Sequence, residues 1–439
     1  MKNMLIAAAV LAALSLPVDR AAAADPDELS EIRSQLQGLL QRVDKLEQEN
    51  TTLRAQNEDL KAQDDYLKAE ARGLRKDSAT AAAELARVKG ADWAGKVSLK
   101  GDLRYRYEMI SDKALNSSGV QATADRYRDR IRARINAEAK VTDNLTVGIG
   151  FATTEGGDPR SSNQSLDGVF SRKSLDLDLA YFDWNFSSWG HLIGGKMKQP
   201  FIKPGQSAFW DGDINPEGLA AAFSRGIWFG TAYGYWLDEV SGAESATTSD
   251  SMLYGAQFGA KLPVGASSLM LAAHYYTLSA AQGRSPFFNG SANGNTTVLA
   301  GTTPVLVNNY EVINLMAEFN TTLGSLPLQL WADAAQNQDP DDLDTAWAAG
   351  ALFGKAGNAK TWEAGLAYQL IEKDALFAQL IDSDFGGGTS DSEGWVMRGG
   401  YAPQRNWVLN ATYFINQRNV DVGTEADYDR LQVDFNVKF

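Results

Sequence analysis

The C-terminal stretch Arg430-Leu-Gln-Val-Asp-Phe-Asn-Val-Lys-Phe439 alternates strictly between polar and apolar side chains. Successive residues of a β-strand point to opposite faces, so the apolar residues from Leu431 to Phe439 share one face. The other face is entirely polar, which is the arrangement of a barrel wall between lipid and water. A soluble domain can also end in an amphipathic strand, but a fully polar second face favours the membrane barrel.

The same two-residue period recurs along most of the chain upstream of this strand. Clear examples begin at Met252, Ile313, Trp362 and Trp407. Counting the strands of residues 93–439 predicts sixteen, all antiparallel, an even number as barrels of this kind require. This count needs residues 374–385 to be a loop or a short helix; if that apolar segment is a strand, the barrel has eighteen.

Short and long connections alternate between the predicted strands, as expected for periplasmic turns and outer loops. The long connections are rich in Gly, Ser, Asn and Asp and lie at 110–125, 155–172, 199–216, 239–250, 280–308, 339–344, 374–391 and 419–427. Pro200, Pro204 and Pro216 exclude a continuous strand from the third of these. We expect its segment from Trp210 to Asp213 to fold inward and to narrow the barrel.

The N-terminal quarter has a different organisation. Residues 1–24 combine Lys2, an apolar run and four alanines, which predicts a cleavable signal peptide. Residues 25–90 follow a seven-residue repeat, with leucine at most d positions from Leu39 to Leu74. This pattern predicts a left-handed coiled coil, and therefore a homo-oligomer, of two or three strands. Polar residues at a positions, such as Asn50 and Asn57, would fix its register.

Composition excludes several classes of function. The chain of 439 residues has no cysteine and a net charge of −14, so neither thiolate chemistry nor nucleic-acid binding is expected. His191 and His274 are its two histidines, and neither stands in the spacing of a catalytic triad or a metal site. We therefore predict that the protein is not an enzyme and uses no metal or other cofactor. The acidic run at 339–344 lacks the spacing of a calcium loop.

The most unusual motif is a row of arginines at every second position near the start of the predicted barrel. On a strand, alternate residues share one face. Lipid would reject them, because one arginine at the membrane midplane costs about 2–4 kcal/mol, so we expect them to line a water-filled lumen. The row, called the arginine ladder below, and its basic neighbours are Lys100, Arg104, Arg106, Arg126, Arg128, Arg130, Arg132 and Arg134.

Adjacent guanidinium groups repel one another, so the ladder requires carboxylates nearby. The candidates across the water gap are Glu155, Asp158, Asp167, Asp176 and Asp178. Opposed walls of charge set ion selectivity in pores, which makes the ladder a candidate constriction with a preference for anions. The alternative is a solvated wall without a selective role, neutralised by Asp102, Glu108 and Glu138.

Several short motifs together resemble one family. Gly101-Asp-Leu-Arg-Tyr-Arg-Tyr-Glu108, the arginine ladder, Gly195-Lys-Met-Lys-Gln-Pro-Phe201 and Trp210-Asp-Gly-Asp-Ile-Asn-Pro-Glu-Gly218 are similar to the Gram-negative "Putative porin" family with an N-terminal coiled coil. So are Ala180-Tyr-Phe-Asp-Trp184 and Asp382-Ser-Asp-Phe-Gly386. The resemblance covers essentially the whole chain. It implies a diffusion pore embedded in the lipid of the outer membrane, and a homotrimer by likeness to sixteen-stranded porins. It also implies that the barrel-insertion machinery recognises the terminal Phe439.

An alternative function places the activity in the coiled coil. The protein would then be a structural tether that links the outer membrane to the cell wall through peptidoglycan, with the barrel as its anchor. A simple anchor has no need of arginines in its lumen, which favours the pore, although one protein can serve both roles.

Overall fold

The computed structural model describes residues 26–88, 94–116, 118–241, 245 and 249–439. The predicted signal peptide, residues 1–24, lies outside the described residues. The chain divides into two compact units, Met1–Ala91 and Asp92–Phe439.

The described part of the first unit is one helix, α1 (Pro26–Val88), of 63 residues. Leu, Ala, Glu, Gln and Lys, which favour helices, dominate its sequence, and its only proline is at the first position, where no amide donor is lost. Leu39, Leu46, Leu53, Leu60, Leu67 and Leu74 are all more than half exposed. None of the described helices is long and apolar enough to cross a membrane.

The second unit is built almost entirely of strands. They are β1 (Val97–Asp112), β2 (Arg126–Thr142), β3 (Leu145–Thr153), β4 (Gln164–Ser165), β5 (Leu175–Ser187), β6 (Gly190–Lys196), β7 (Glu217–Arg225), β8 (Trp228–Asp238), β9 (Ser251–Val264), β10 (Ser267–Leu278), β11 (Thr297–Ala300), β12 (Thr303–Leu306), β13 (Glu311–Leu323), β14 (Leu326–Asn337), β15 (Thr345–Gly354), β16 (Thr361–Ile371), β17 (Ser392–Gln404), β18 (Trp407–Arg418) and β19 (Ala426–Lys438). Short 3-10 turns occupy Ala94–Lys96, Ala378–Leu380 and Phe385–Gly387.

The barrel closes because its first strand pairs with its last. β1 and β19 are antiparallel, with Tyr105 opposite Phe435 and Arg106 opposite Asp434. Within the described residues sixteen strands form the wall, while β4 and the β11–β12 hairpin belong to loops. The prediction of sixteen strands is confirmed, and the alternative of eighteen is wrong, because residues 374–385 form a loop with a 3-10 turn.

The outer face of the wall carries the apolar side chains. On β1, Leu103, Tyr105 and Tyr107 are exposed, whereas Arg106 and Glu108 between them are buried. This alternation follows from the pleat of a strand and gives a surface suited to lipid. The barrel therefore separates an apolar exterior from a polar interior.

The tight turns at one end use residues that tolerate a left-handed backbone. Gly226, Gly265 and Gly324 have φ near +60°, between β7 and β8, β9 and β10, and β13 and β14. Glycine adopts this conformation without the steric cost that a Cβ imposes. The opposite end carries the long loops, and several of them enter the barrel.

Candidate functional site: the charged interior of the barrel

The arginine ladder lies on the inward face of β1 and β2. In the register of this pair, Arg132 is opposite Arg104 and Arg130 is opposite Arg106. Arg106, Arg130 and Arg132 are no more than 6% exposed. Arg126, at the first position of β2, is exposed. The strand pleat thus brings the ladder arginines of β2 to one side, as their spacing predicts.

Two carboxylates on β1, Asp102 and Glu108, neutralise much of this charge. Asp102 pairs with Arg132 at 2.8 Å and with Arg134 at 2.7 Å. Glu108 is fully buried and accepts hydrogen bonds from Arg128 and from Arg430. These contacts match the wall neutralised by Asp102 and Glu108 that was considered as the alternative.

Two further carboxylates of the wall, Asp434 and Glu138, also form ion pairs with basic residues. Asp434 on β19 receives two parallel hydrogen bonds from Arg106, at 2.7 and 2.9 Å, the strong bidentate arrangement. Asp434 also lies 3.6 Å from Arg104. Glu138 pairs instead with Lys100, at 2.9 Å. Every ladder arginine from Arg128 to Arg134 therefore has a carboxylate partner.

Of the five acidic residues proposed to oppose the ladder, the structure brings one into contact with it. Glu155 pairs with Arg130 at 3.0 Å. Asp158 lies 3.7 Å from Arg160, and Asp167 lies 3.9 Å from Lys173. Asp178 accepts a hydrogen bond from Asn215. Asp176 lines a neighbouring cavity, beside Lys196 and Asp213.

The sequence did not indicate Asp434 on β19 as a partner of the ladder, and it also missed two carboxylates that come from inward loops. Asp213, in the loop between β6 and β7, lies 3.8 Å from Arg132 and 3.4 Å from Arg134. Asp384, in the loop between β16 and β17, lies 3.3 Å from Arg106 and 2.7 Å from Arg430. The prolines and Trp210 had indicated that the loop with Asp213 folds inward. No feature of the sequence indicated that Asp384 contacts the ladder.

Inner loop 1, residues 197–216, crosses the interior and is held by strands that are far apart in the wall. The backbone amide of Ile202 donates to Gln257 on β9, that of Gly205 to Glu318 on β13, and that of Ala208 to Gln369 on β16. Contacts with strands so widely separated require the loop to lie inside the barrel. This agrees with the inward fold expected for Trp210–Asp213.

Aromatic packing anchors inner loop 1 against one wall. Phe201 stacks on Tyr233 with ring centroids 5.4 Å apart and lies 4.3 Å from the ring of His274. Trp210 meets Phe201 edge to face at 5.1 Å. Such pairs contribute about 0.5–1.5 kcal/mol each beyond the burial of their area. Tyr233 also hydrogen-bonds His274, so this histidine serves in packing.

Inner loop 2, residues 372–391, is the apolar segment that could have been a strand. Leu376, Phe377, Ile381 and Phe385 are buried, and burial of such side chains stabilises by about 1.5–3 kcal/mol each. Its backbone joins inner loop 1 directly, because Asp211 donates its amide to Leu380 at 2.7 Å. Asp382 donates likewise to Ala208 at 2.8 Å. The two loops therefore form one partition across the interior.

A third long loop, between β10 and β13, also forms hydrogen bonds with this partition. It contains the β11–β12 hairpin, and Asn295 donates to the carbonyl oxygens of Lys373 and Leu376. Gln379 of inner loop 2 donates in return to Phe288 and Ser291. The partition is thus held by hydrogen bonds on both sides as well as by apolar burial.

Three adjoining cavities remain between the partition and the ladder. The first, about 270 Å³, is lined by Arg104, Arg106 and Arg132 on the ladder side and by Asp211, Asp213 and Asp384 on the loop side. The second, about 410 Å³, shares Lys203, Asp211 and Gly212 with the first. The third, about 260 Å³, shares Asp102, Arg134 and Lys198 with the second and reaches Lys100 and Lys438. Shared residues place these cavities in a row along the ladder.

The loop carboxylates differ in their pKa. Burial alone raises the pKa of Asp213 and Asp384, but the neighbouring arginines outweigh burial, so the pKa of each is lowered. Burial raises the pKa of Asp211 well above its ordinary value, and the nearby Asp382 and Asp213 raise it further. Asp213 and Asp384 are therefore held as anions, whereas the environment of Asp211 disfavours its charge.

The part of the chain that the structure describes contains no cluster of His, Asp and Glu suited to a metal ion. His191 is paired with Asp183 at 2.8 Å near a short turn, with no nucleophile in the pair. The chemistry that the interior offers is charge and hydrogen bonding around open cavities.

A closed sixteen-stranded antiparallel barrel with an apolar exterior, a charged interior and inward loops is of the outer-membrane porin class. The chain belongs to the family described as "Putative porin", whose model matches residues 111–308 and 295–439. The family resemblance drawn from the sequence is thereby confirmed.

Solved structures with a similar fold share little sequence with this chain. OprB of Pseudomonas putida, in a high-pH structure, is 12% identical, with a TM-score of 0.52, and the match covers 78% of this chain and 94% of that one. A trimer form of OmpT from Vibrio cholerae is 12% identical, with a TM-score of 0.45 and coverage of 78% and 99%. A mutant of the Rhodopseudomonas blastica porin is 12% identical, with a TM-score of 0.43, and the match covers 78% of this chain and 100% of that one. A search of curated protein sequences found no match.

Proposed function

We propose that this outer-membrane porin lets small hydrophilic solutes and ions diffuse through a narrow passage with an arginine-lined wall and a preference for anions. The observation that carries the proposal is the row of three adjoining cavities along the ladder, inside a closed barrel. Such a row, bordered by charges of both signs, selects solutes by size and by charge.

The ion pairs of the ladder determine the net charge of the wall and therefore how the ladder affects the passage of anions. The arginines of the ladder and Arg430 are compensated by six carboxylates, so the wall is nearly neutral while all pairs are intact; these are Asp102, Glu108, Asp434, Glu155, Asp213 and Asp384. Removal of arginines would leave these carboxylates unpaired and would make the wall negative. The ladder therefore supports anion passage chiefly by keeping the carboxylates of the passage neutralised.

The test is single-channel conductance of the purified full chain in a planar bilayer, with the reversal potential measured in a KCl gradient. We expect stepwise insertions and a chloride preference that falls when Arg130 and Arg132 are both changed to serine. Arg225→Ser is the matched control, because this exposed arginine ends β7 at a short turn, away from the ladder. Folded barrels that never conduct would refute the function itself.

The exposed leucines of α1 support a second part of the proposal, the homo-oligomer. A helix that leaves six leucines at heptad spacing exposed buries them when copies associate as a coiled coil. We propose that α1 forms a periplasmic coiled coil of about 95 Å, at about 1.5 Å per residue, in a trimer.

The tether to the cell wall stays the alternative function of α1. Deletion of residues 25–90 distinguishes the two, since a pore keeps its unitary conductance without the helix. Release of the outer membrane from peptidoglycan in cells carrying the deletion would instead assign the tether role. Unchanged attachment would exclude it.

A further inference from the structure

Inner loop 1 carries two lysines that form no ion pair with a described carboxylate. Lys198 is exposed, and Glu138 on β2 attracts its charge without a hydrogen bond or an ion pair between them. Lys203 donates to the backbone oxygen of Trp210 at 2.6 Å, but it is in no ion pair within the described ranges. The ladder arginines from Arg128 to Arg134 all have carboxylate partners, so these lysines differ from them.

Both lysines line the 410 Å³ cavity, together with Gln199 and Trp210. The hydroxyl of Tyr235 donates to Oε1 of Gln199 at 2.9 Å, which leaves Nε2 of that amide as its free group. Gln199 Nε2 and Trp210 Nε1 are both buried without an acceptor. A buried donor without an acceptor costs about 1–3 kcal/mol, so rotation of either side chain toward a ligand that accepts hydrogen bonds in the cavity is favoured.

The carboxylates of this cavity are already engaged. Asp211 accepts hydrogen bonds from the amides of Asp213 and Ser383, both at 2.8 Å. Asp102 is held by two ladder arginines, and Asp178 accepts from Asn215 at 2.7 Å. The cavity therefore offers unpaired cations and unpaired donors, while its acceptors are occupied.

The surroundings of Lys203 make its charge costly. Burial lowers the pKa of Lys203, and Arg398 lowers it further, whereas Asp382, Asp211 and Asp333 oppose this shift without contacting the ammonium. Arg398 lines the adjoining 270 Å³ cavity, donates to Gln206 and forms no ion pair with a described carboxylate. An anion that binds between these groups relieves both the desolvation and the repulsion.

We propose that this cavity is a binding site for small organic carboxylates, held by Lys198 and Lys203 with Arg398 in the adjoining cavity. The guanidinium of Arg398 matches a carboxylate in shape, and the two ammonium groups attract its charge. The site rests on the proposed function in one respect, since the pore delivers the solute to it. It assigns recognition of the solute to inner loop 1 and not to the ladder.

Binding is measured first, by calorimetric titration of the purified full chain in detergent with succinate, with the uncharged succinamide as control ligand. We expect succinate to bind and succinamide not to. Each of Lys198→Gln and Lys203→Gln weakens binding about tenfold or more, as expected for the loss of one hydrogen bond between charged groups. Lys196→Gln is the matched control, because this lysine of the same segment is paired with Glu217 at 3.0 Å.

The proposal can be tested even if the Lys203→Gln variant does not fold. Lys198→Gln changes an exposed side chain that forms no ion pair or hydrogen bond with a described residue, so this variant decides the question even if Lys203→Gln prevents the loop from folding. Absence of succinate binding to the wild type, or equal affinity in wild type and Lys198→Gln, overturns the proposal.

Conductance separates this proposal from the pore itself. In the planar bilayer, succinate should block chloride current in the wild type and block it less in Lys198→Gln. Channels that conduct but show no succinate block would refute the site and leave the pore. Succinate binding by barrels that never conduct would refute the pore and leave the site.

Discussion

Asp213 offers the sharpest test of how the interior is held, because it links inner loop 1 to the ladder. Its Oδ1 lies 3.4 Å from Arg134 and 3.8 Å from Arg132, and its Oδ2 accepts hydrogen bonds from the amide and hydroxyl of Ser162. Asp213→Asn keeps the shape of the side chain and removes its charge. The change therefore isolates the ion pairs.

The magnitude follows from these distances. At an effective dielectric constant of about 20, each contact corresponds to about 4–5 kcal/mol of Coulomb energy. Both arginines keep Asp102 as a partner, and the substitution also removes the cost of burying a charge. We expect a net loss of about 2–3 kcal/mol in loop anchoring, which raises the population of detached loop roughly 30- to 150-fold.

The assay is single-channel recording. A detached loop 1 widens the passage, so Asp213→Asn should give larger and noisier unitary currents than the wild type. Asp167→Asn is the control, because Asp167 is exposed, pairs at 3.9 Å with Lys173 and touches no ladder residue. Folded Asp213→Asn barrels with the unitary current and noise of the wild type would refute the anchoring role.

Three further predictions address the wall, the helix and the pH dependence. Glu108→Gln removes the carboxylate that Arg128 and the buried Arg430 share; because Arg430 keeps Asp384 as a partner, the free energy of unfolding should fall by about 1.5–3 kcal/mol, whereas Glu138→Gln, in an exposed pair, should cost under about 1 kcal/mol. Thermal unfolding followed by gel mobility measures both, and equal losses would contradict the reasoning. Leu53→Lys with Leu60→Lys should reduce the particle to a smaller oligomer in analytical ultracentrifugation, and an unchanged mass would exclude α1 from assembly. Burial opposes but Arg430 and Arg106 lower the pKa of Asp384, so its stabilisation is complete above its unfolded pKa of about 3.9 and is lost as pH falls through the lower folded value. The difference in unitary current between the wild type and Asp384→Asn should therefore stay constant from pH 8 to about 5, because Asp211, whose pKa burial raises, is common to both; a difference that changes within this range would count against this role of Asp384.

The strands could be predicted from the sequence because the polarity of each side chain matches the lipid or water that it faces. The alternation from Leu431 to Phe439 is a local property, since lipid and water impose opposite polarity on successive side chains. The same constraint placed the ladder arginines on one face, and the structure has them so. Segment 374–385 was harder, because an apolar loop buried inside a barrel has the composition of a wall strand.

The partners of the ladder were not predictable in the same way. Asp102 and Glu108 are its neighbours across the β1–β2 pairing, and both were considered. Glu155, one of the opposing candidates, contacts Arg130, whereas Asp158 and Asp167 pair elsewhere. Their selection rested on closeness along the chain, which does not determine where a long loop places its carboxylates.

The sequence by itself determined the class of this protein: a helix with a heptad repeat, sixteen amphipathic strands, alternating turn lengths and arginines that must avoid lipid. Each of these depends on a period or a composition within a few residues. Only the tertiary structure decided which loops enter the barrel, that Asp213 and Asp384 reach the ladder, and that Lys198 and Lys203 have no ion-pair partner among the described residues. Those outcomes depend on contacts between residues far apart in the chain, such as Arg106 and Asp384, and closure of the barrel is what brings them together.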